Sequence, residues 1–160
     1  MLAASQSAVA FPILTALVVV PLIGAAAVLG FGRARPEWTK MSALVASIAT
    51  GALSLWVLQA FDTRNAGFQF VSRHEWISDW GISWHLGVDG ISLFLVVLTG
   101  VLFPLVVAGV YPHHDERPYL AWLLVLEAGV MGSFVSLDLF LFFVFFEIVQ
   151  IGRASCRERV

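Results

Sequence analysis

Two glutamates stand where an apolar chain accommodates them least. Glu147 lies inside FLFFVFFEIVQ (140–150), and Glu127 inside LLVLEAGVMGSFV (123–135). An ionised side chain at the centre of a bilayer costs about 2.5–3.5 kcal/mol on insertion scales, so such a residue asks for a role and a partner. Glu127 precedes Ser136 by nine residues, and Glu147 follows Asp138 by nine. If the chain turns at Ser136–Asp138, the two acids sit on antiparallel neighbouring helices at nearly equal depth, roughly 13 Å from the turn. Two carboxylates close together in low dielectric cannot both ionise cheaply, so protons are held there. That is the chemistry of a relay, in which a buried acid takes a proton and yields it when a nearby charge changes. Glu147 is the first candidate and Glu127 a possible second carboxylate. The competing reading for each is a hydrogen-bonded acid that only packs helices. Equal depth alone does not make the two face each other.

Other polar groups offer less. His85 and Asp89 are four residues apart and could chelate a metal on a helix, but no third ligand is near. A histidine at the membrane interface and a helix cap explain them better. Asp89 and Asp138 each stand just before an apolar run, where a carboxylate accepts free N–H groups and meets the positive helix end. HHDE (113–116) reads as a solvated turn, and GVDG (87–90) as a turn into a helix. The chain carries no nucleophile elbow, P-loop or dinucleotide fingerprint. No cofactor or metal site is expected in it.

The elements that must hold the glutamates are apolar. The chain has 160 residues, 59% hydrophobic and 12% charged, with a net charge of −2. A soluble domain of this size could not hide so much apolar surface, which makes an all-α polytopic membrane protein the expected class. The charge balance gives no reason to expect a nucleic-acid partner. The single cysteine, Cys156, excludes an internal disulfide. About five spans are expected, near 9–32, 41–61, 90–111, 119–136 and 138–149 onward, the complete ones close to the ~20 residues that cross ~30 Å of hydrocarbon. Pro21 and Pro104 fall within spans, where a kink is tolerated. Small residues after Glu127 (Ala128, Gly129, Gly132, Ser133) predict a close helix contact. Between the second and third spans, FQFV and ISWHLGV alternate around SDWG and predict a short β-hairpin at about 67–88, lying over the helices.

Arg33, Arg35, Lys40 and Arg117 mark the 33–40 and 112–117 connections as cytoplasmic. The long 62–89 segment has only Arg64 and Arg73, and the first apolar run has no preceding Lys or Arg. The N-terminus is therefore expected outside, with the first run a retained span rather than a signal peptide. Trp38, Tyr111, Tyr119 and Trp122 would anchor the inner interface, and Trp76, Trp80 and Trp84 the outer one.

Residues 150–160 do not fit this path. IGRASCRERV puts three arginines into the last ten residues, only about 16 Å after the fifth helix begins. It back-translates as ATC GGA AGA GCG TCG TGT AGG GAA AGA GTG, which has the look of a sequencing-library adapter read as coding sequence. Resequencing the source DNA from an independently prepared library is expected to replace 151–160 with an apolar continuation and to place leucine at position 150. Recovery of the same ten residues would restore the alternative, an arginine-rich cytoplasmic tail.

Two stretches, WHLGVDGISLFLVVLTGVLFPL and GSFVSLDLFLFFVFFEIV, closely resemble the N-terminal part of chain M (subunit 4) of NADH-quinone oxidoreductase, respiratory complex I. The likeness keeps their order and extends over about 1–149. It implies an antiporter-like subunit of fourteen helices that carries proton translocation in the membrane arm of a bacterial plasma-membrane complex. The glutamate of the family's FFE maps onto Glu147, which family members pair with a lysine on a later helix. Glu127 is not carried over by any motif. Flavin and iron–sulfur clusters, and the encounters with NADH and quinone, are implied for other subunits of the complex, and the partners of this chain are membrane-arm subunits and lipid. A subunit of a sodium/proton antiporter or membrane-bound hydrogenase, or a structural packing subunit, remains an alternative.

Overall fold

The computed structural model describes residues 13–31, 37–64, 67–77, 82–109 and 116–157. Five helices alternate in direction: α1 (Ile13–Phe31), α2 (Glu37–Ala60), α3 (Gly90–Gly109), α4 (Glu116–Val135) and α5 (Leu139–Arg157), with β1 (Gln69–Ile77) and β2 (Ile82–Val88) between α2 and α3. Four of them, α1 to α4, hold stretches of 18 to 23 residues apolar enough to cross a membrane. Pro21 and Pro104 lie inside α1 and α3 without ending either. α2 begins at Glu37, a turn before the expected start, and α5 runs on without a break through the arginine-bearing segment to Arg157. Residues 113–115 of the expected HHDE turn, the stretch 9–12, the Trp76 side chain and the Trp80 and Tyr111 anchors lie outside the described residues, and Glu116 opens α4.

The apolar interior falls into two clusters. One joins Leu14, Leu17 and Val18 of α1 to Val57, Leu93, Val96, Met131, Leu141 and Phe145, capped by Leu86 and Val88 of the hairpin. The other joins Ala25 and Val28 of α1 to Ala43, Ala46, Phe103, Val107, Leu120 and Leu124. Outward, Ile91, Phe94, Leu98 and Leu105 of α3, and Met41, Val45 and Ile48 of α2, are exposed. Such apolar stripes at helical spacing are what lipid requires and water would penalise.

Close helix contacts occur where glycine removes the side chain. A Cβ on Gly132 would meet the Phe145 ring at 2.5–2.6 Å, and one on Gly129 would meet Val149 and Ile148 at 3.0–3.2 Å. The small residues after Glu127 thus seat α4 on α5, as the spacing predicts. Gly51 and Gly100 bring α2 and α3 together in the same way, backbone against backbone.

The hairpin is antiparallel, with Arg73 opposite His85 and register irregularities beside Gln69 and Glu75. Phe70, at one irregularity, has φ 55° and packs on Trp56 at 6.4 Å between ring centres. Alternate residues Trp84, Leu86 and Val88 turn toward the helices, so the strand period lays one hairpin face on the bundle. Trp84 donates its indole N–H to Thr15 Oγ1 at 3.1 Å and meets Phe145 edge-on at 5.9 Å. This corrects its expected place as an interface anchor: its one polar atom is satisfied inside the protein. Tyr119, also expected at the interface, is 7% exposed within the second cluster, whereas Trp38 is exposed at the start of α2.

Both predicted caps form. Asp89 accepts the Ser92 amide at 2.7 Å, and the Ser92 amide and hydroxyl hold its carboxyl below the usual range. Asp138 accepts the amides of Phe140 and Leu141 at 2.8 and 3.4 Å, and through its other oxygen the Ser83 amide at 3.3 Å. Burial pushes its carboxyl up, but these donors together hold it below the ordinary value. Asp138 therefore caps α5 and ties β2 to it, beside the Leu137 amide bonded to the His85 carbonyl at 2.9 Å. Asp138→Ala is expected to lower the stability of the assembled subunit by about 1–2 kcal/mol, with Asp138→Asn milder, read from thermal unfolding. A carboxyl depressed in the folded state stabilises above its unfolded value near pH 4, and that contribution is lost as pH falls through the lower folded value.

Candidate functional site

Between the two apolar clusters lies a polar belt. On α4, Glu127 falls between Leu124 of one cluster and Met131 of the other. On α2, Ser47, Thr50 and Ser54 fall between Ala46 and Val57, and on α3 Thr99 falls between Val96 and Phe103. Glu127, Ser47, Thr50 and Ser54 are all fully buried. Helical periodicity puts the three α2 hydroxyls on one side of that helix, since steps of three and four residues return to the same face.

Ser47 donates its hydroxyl proton to Glu127 Oε1 at 3.2 Å, a side-chain bond that joins α2 to α4. Oε2 of Glu127 is buried without a hydrogen-bond partner among the described residues. Thr50 and Ser54 turn back on their own helix, donating to the carbonyls of Ala46 (3.0 Å) and Gly51 (2.7 Å). Thr99 does the same to Leu95 at 2.8 Å. Such back-bonding keeps a hydroxyl satisfied in an apolar helix while leaving its oxygen free to accept. Nearer the α2 N-terminus, Thr39 is buried and its Oγ1 also lacks a partner among the described residues.

Glu147 is placed differently. It is exposed on α5, on the face that carries Phe143 and Phe140, one and two turns before it. The two glutamates lie on neighbouring antiparallel helices, as the spacing predicts, but they do not face each other. Glu127 turns toward α2 and Glu147 away from the bundle. Their depths differ as well. Gly132 lies against Phe145 and Gly129 against Val149, a register that offsets Glu127 from Glu147 by about one turn, or ~5 Å along the axis. The expectation of nearly equal depth is corrected to that extent, because α5 slides along α4 until the Phe145 ring fills the Gly132 notch.

His85 and Asp89 do not combine into a metal site: His85 lies in β2 and Asp89 caps α3. No group of three or more metal-ligating side chains occurs among the described residues. The sequence reading missed the buried α2 hydroxyls of this belt, of which Ser47 bonds Glu127 and Ser54 lies against Gly100 of α3. Their signal was present as Ser47, Thr50 and Ser54 at helical spacing within an apolar run, although spacing could not say which helix they meet.

These features define a multi-pass helical membrane protein with one carboxyl buried in a mid-bundle polar belt and a second on its outer surface. No family model matches the chain. NADH-quinone oxidoreductase subunit M of Rhodobacter capsulatus is 45% identical over 132 residues, covering 78% of this chain and 25% of the relative. The subunit M of Rickettsia prowazekii is 33% identical over 145 residues, covering 88% of this chain and 30% of its own length. That of Mycobacterium tuberculosis is 33% identical over 171 residues, covering 88% and 31%. The chain belongs to the NADH-quinone oxidoreductase subunit M family, and it spans a quarter to a third of the length of the curated relatives it matches.

Proposed function

We propose that the chain is part of a membrane-arm subunit of a proton-translocating NADH:quinone oxidoreductase, with Glu147 as a proton-relay residue and Glu127 as a second carboxyl. The names of the relatives support the complex, and the observation that carries the relay is the position of Glu147. It stands about 12 Å into α5 from Leu139, on a face lined by phenylalanines. A carboxylate held at that depth on an outward face needs a partner from outside these five helices. In the full-length subunit that partner is a lysine on a later helix, and a change in the charge of one member moves the proton affinity of the other. Flavin and iron–sulfur chemistry belongs to other subunits. This chain holds no redox group and meets NADH and quinone only through the complex, with neighbouring membrane subunits and lipid as its direct partners.

The proposed orientation puts the N-terminus on the periplasmic side of a bacterial plasma membrane, with the 33–40 connection in the cytoplasm. Cysteines introduced singly at Trp38 and Arg64, both exposed, are expected to react with impermeant thiol reagents from opposite sides, Trp38→Cys from the cytoplasm. Labelling of both from one side would overturn this path.

A further inference from the structure

We propose that the hydroxyl-bearing side of α2 is a proton-access route that starts at Thr39 and ends on the Glu127 carboxyl, with Ser47 passing the proton. The inference rests on Glu127 being able to hold a proton, as the reading above has it, and adds how that proton arrives. Two buried oxygens without partners among the described residues, Thr39 Oγ1 and Glu127 Oε2, mark its ends. Buried polar atoms are nearly always bonded, to protein or to internal water, so both are places where water is held. From Thr39, the residues Thr50, Ser54 and Ser47 fall within a sector of about 80° of the helix, at 100° per residue. Ala43, within that sector, and Ala46, at its edge, are the small buried side chains that lie between Thr39 and Ser47.

Thr39 and Ser47 are eight residues apart, about 12 Å, a gap that about three or four hydrogen-bonded waters bridge. Ser47 already points its proton at Glu127 Oε1. A proton given by the last water to Ser47 Oγ releases the original hydroxyl proton to the carboxylate. One proton is transferred, Ser47 ends neutral, and the chain of waters reorients to take the next. Thr50 serves the same side of the bundle as an acceptor, its own proton being held by the Ala46 carbonyl. Glu147, facing away from the bundle, takes no part in this route.

Infrared spectroscopy of the assembled complex in membranes tests it. A carboxylic C=O band that disappears in Glu127→Gln identifies the acid form, and its shift after transfer to D2O times access to the site. Thr39→Val is expected to slow that exchange by about tenfold or more, with Thr39→Ser restoring it. Ser47→Ala is expected to move the band to higher frequency, because the carboxyl loses a hydrogen bond. Ser133→Ala, whose hydroxyl only back-bonds to the Gly129 carbonyl at 2.9 Å, should change neither. Should Thr39→Val not assemble, Thr39→Cys blocked in the finished complex by a small thiol reagent gives the same reading. The route is overturned if no acid band depends on Glu127, if exchange is unchanged in the Thr39 variants, or if Ser133→Ala slows it equally. Pumping is recorded on the same membranes. Slowed exchange with pumping intact supports the route and removes Glu127 from the relay, so the two ideas fail separately.

Discussion

Glu147→Gln in the full-length subunit is expected to leave the complex assembled while lowering proton pumping and coupled quinone reduction by roughly a hundredfold, the low end of what a positioned proton-transfer group contributes. The amide keeps the size and hydrogen-bonding capacity of the acid but neither exchanges a proton nor answers a lysine charge. Assembly should survive because Glu147 is exposed on α5 and fills no space among the five helices. Glu147→Asp keeps the charge with a reach shorter by one methylene, and its effect should be smaller. If Glu147 only packed against a neighbouring helix, the order would invert, since glutamine replaces a hydrogen-bonded acid better than a shortened carboxylate does. Pumping by an assembled Gln variant at the unaltered rate removes Glu147 from the mechanism.

Gly51→Ala should be the most damaging small substitution in the bundle. A Cβ there would press on the Gly100 carbonyl oxygen, with Pro104 Cγ at 3.7 Å behind it. The obstacle is backbone rather than the end of a flexible side chain, so α2 and α3 must separate. Overpacking of this kind costs about 1–3 kcal/mol. The displacement would also carry Ser47 and Ser54 away from their neighbours, since they share α2 with Gly51. We expect a lower unfolding temperature and a smaller yield of assembled subunit. Gly109→Ala, where a Cβ meets nothing within 4 Å, should stay within about 0.5 kcal/mol of the original. Equal behaviour of the two variants would refute the close α2–α3 approach.

Much of the architecture is local in origin and was legible in the sequence. Runs of apolar residues near the length of a bilayer crossing fixed five helices, since a backbone in hydrocarbon must satisfy its own hydrogen bonds. Asp89 and Asp138 announced the starts of α3 and α5, because a capping carboxylate bonds amides only two or three residues ahead. The alternation of ISWHLGV announced β2, and the glycines after Glu127 announced a close partner.

Which helix meets which, and in what register, is set by packing between segments far apart in the chain, and no periodicity encodes it. Counting residues from the turn put Glu127 and Glu147 level, but the Phe145 ring seated on Gly132 shifted them by a turn. The same spacing left their directions open. Glu127 points inward because Ser47, eighty residues earlier, supplies a hydroxyl in the polar belt between the two apolar clusters. Glu147 points outward because Leu141 and Phe145 occupy the buried side of α5. An acid can be found from its sequence neighbours, but its partner is decided by the tertiary fold, because a hydrogen bond of 3 Å depends on where two helices come to rest.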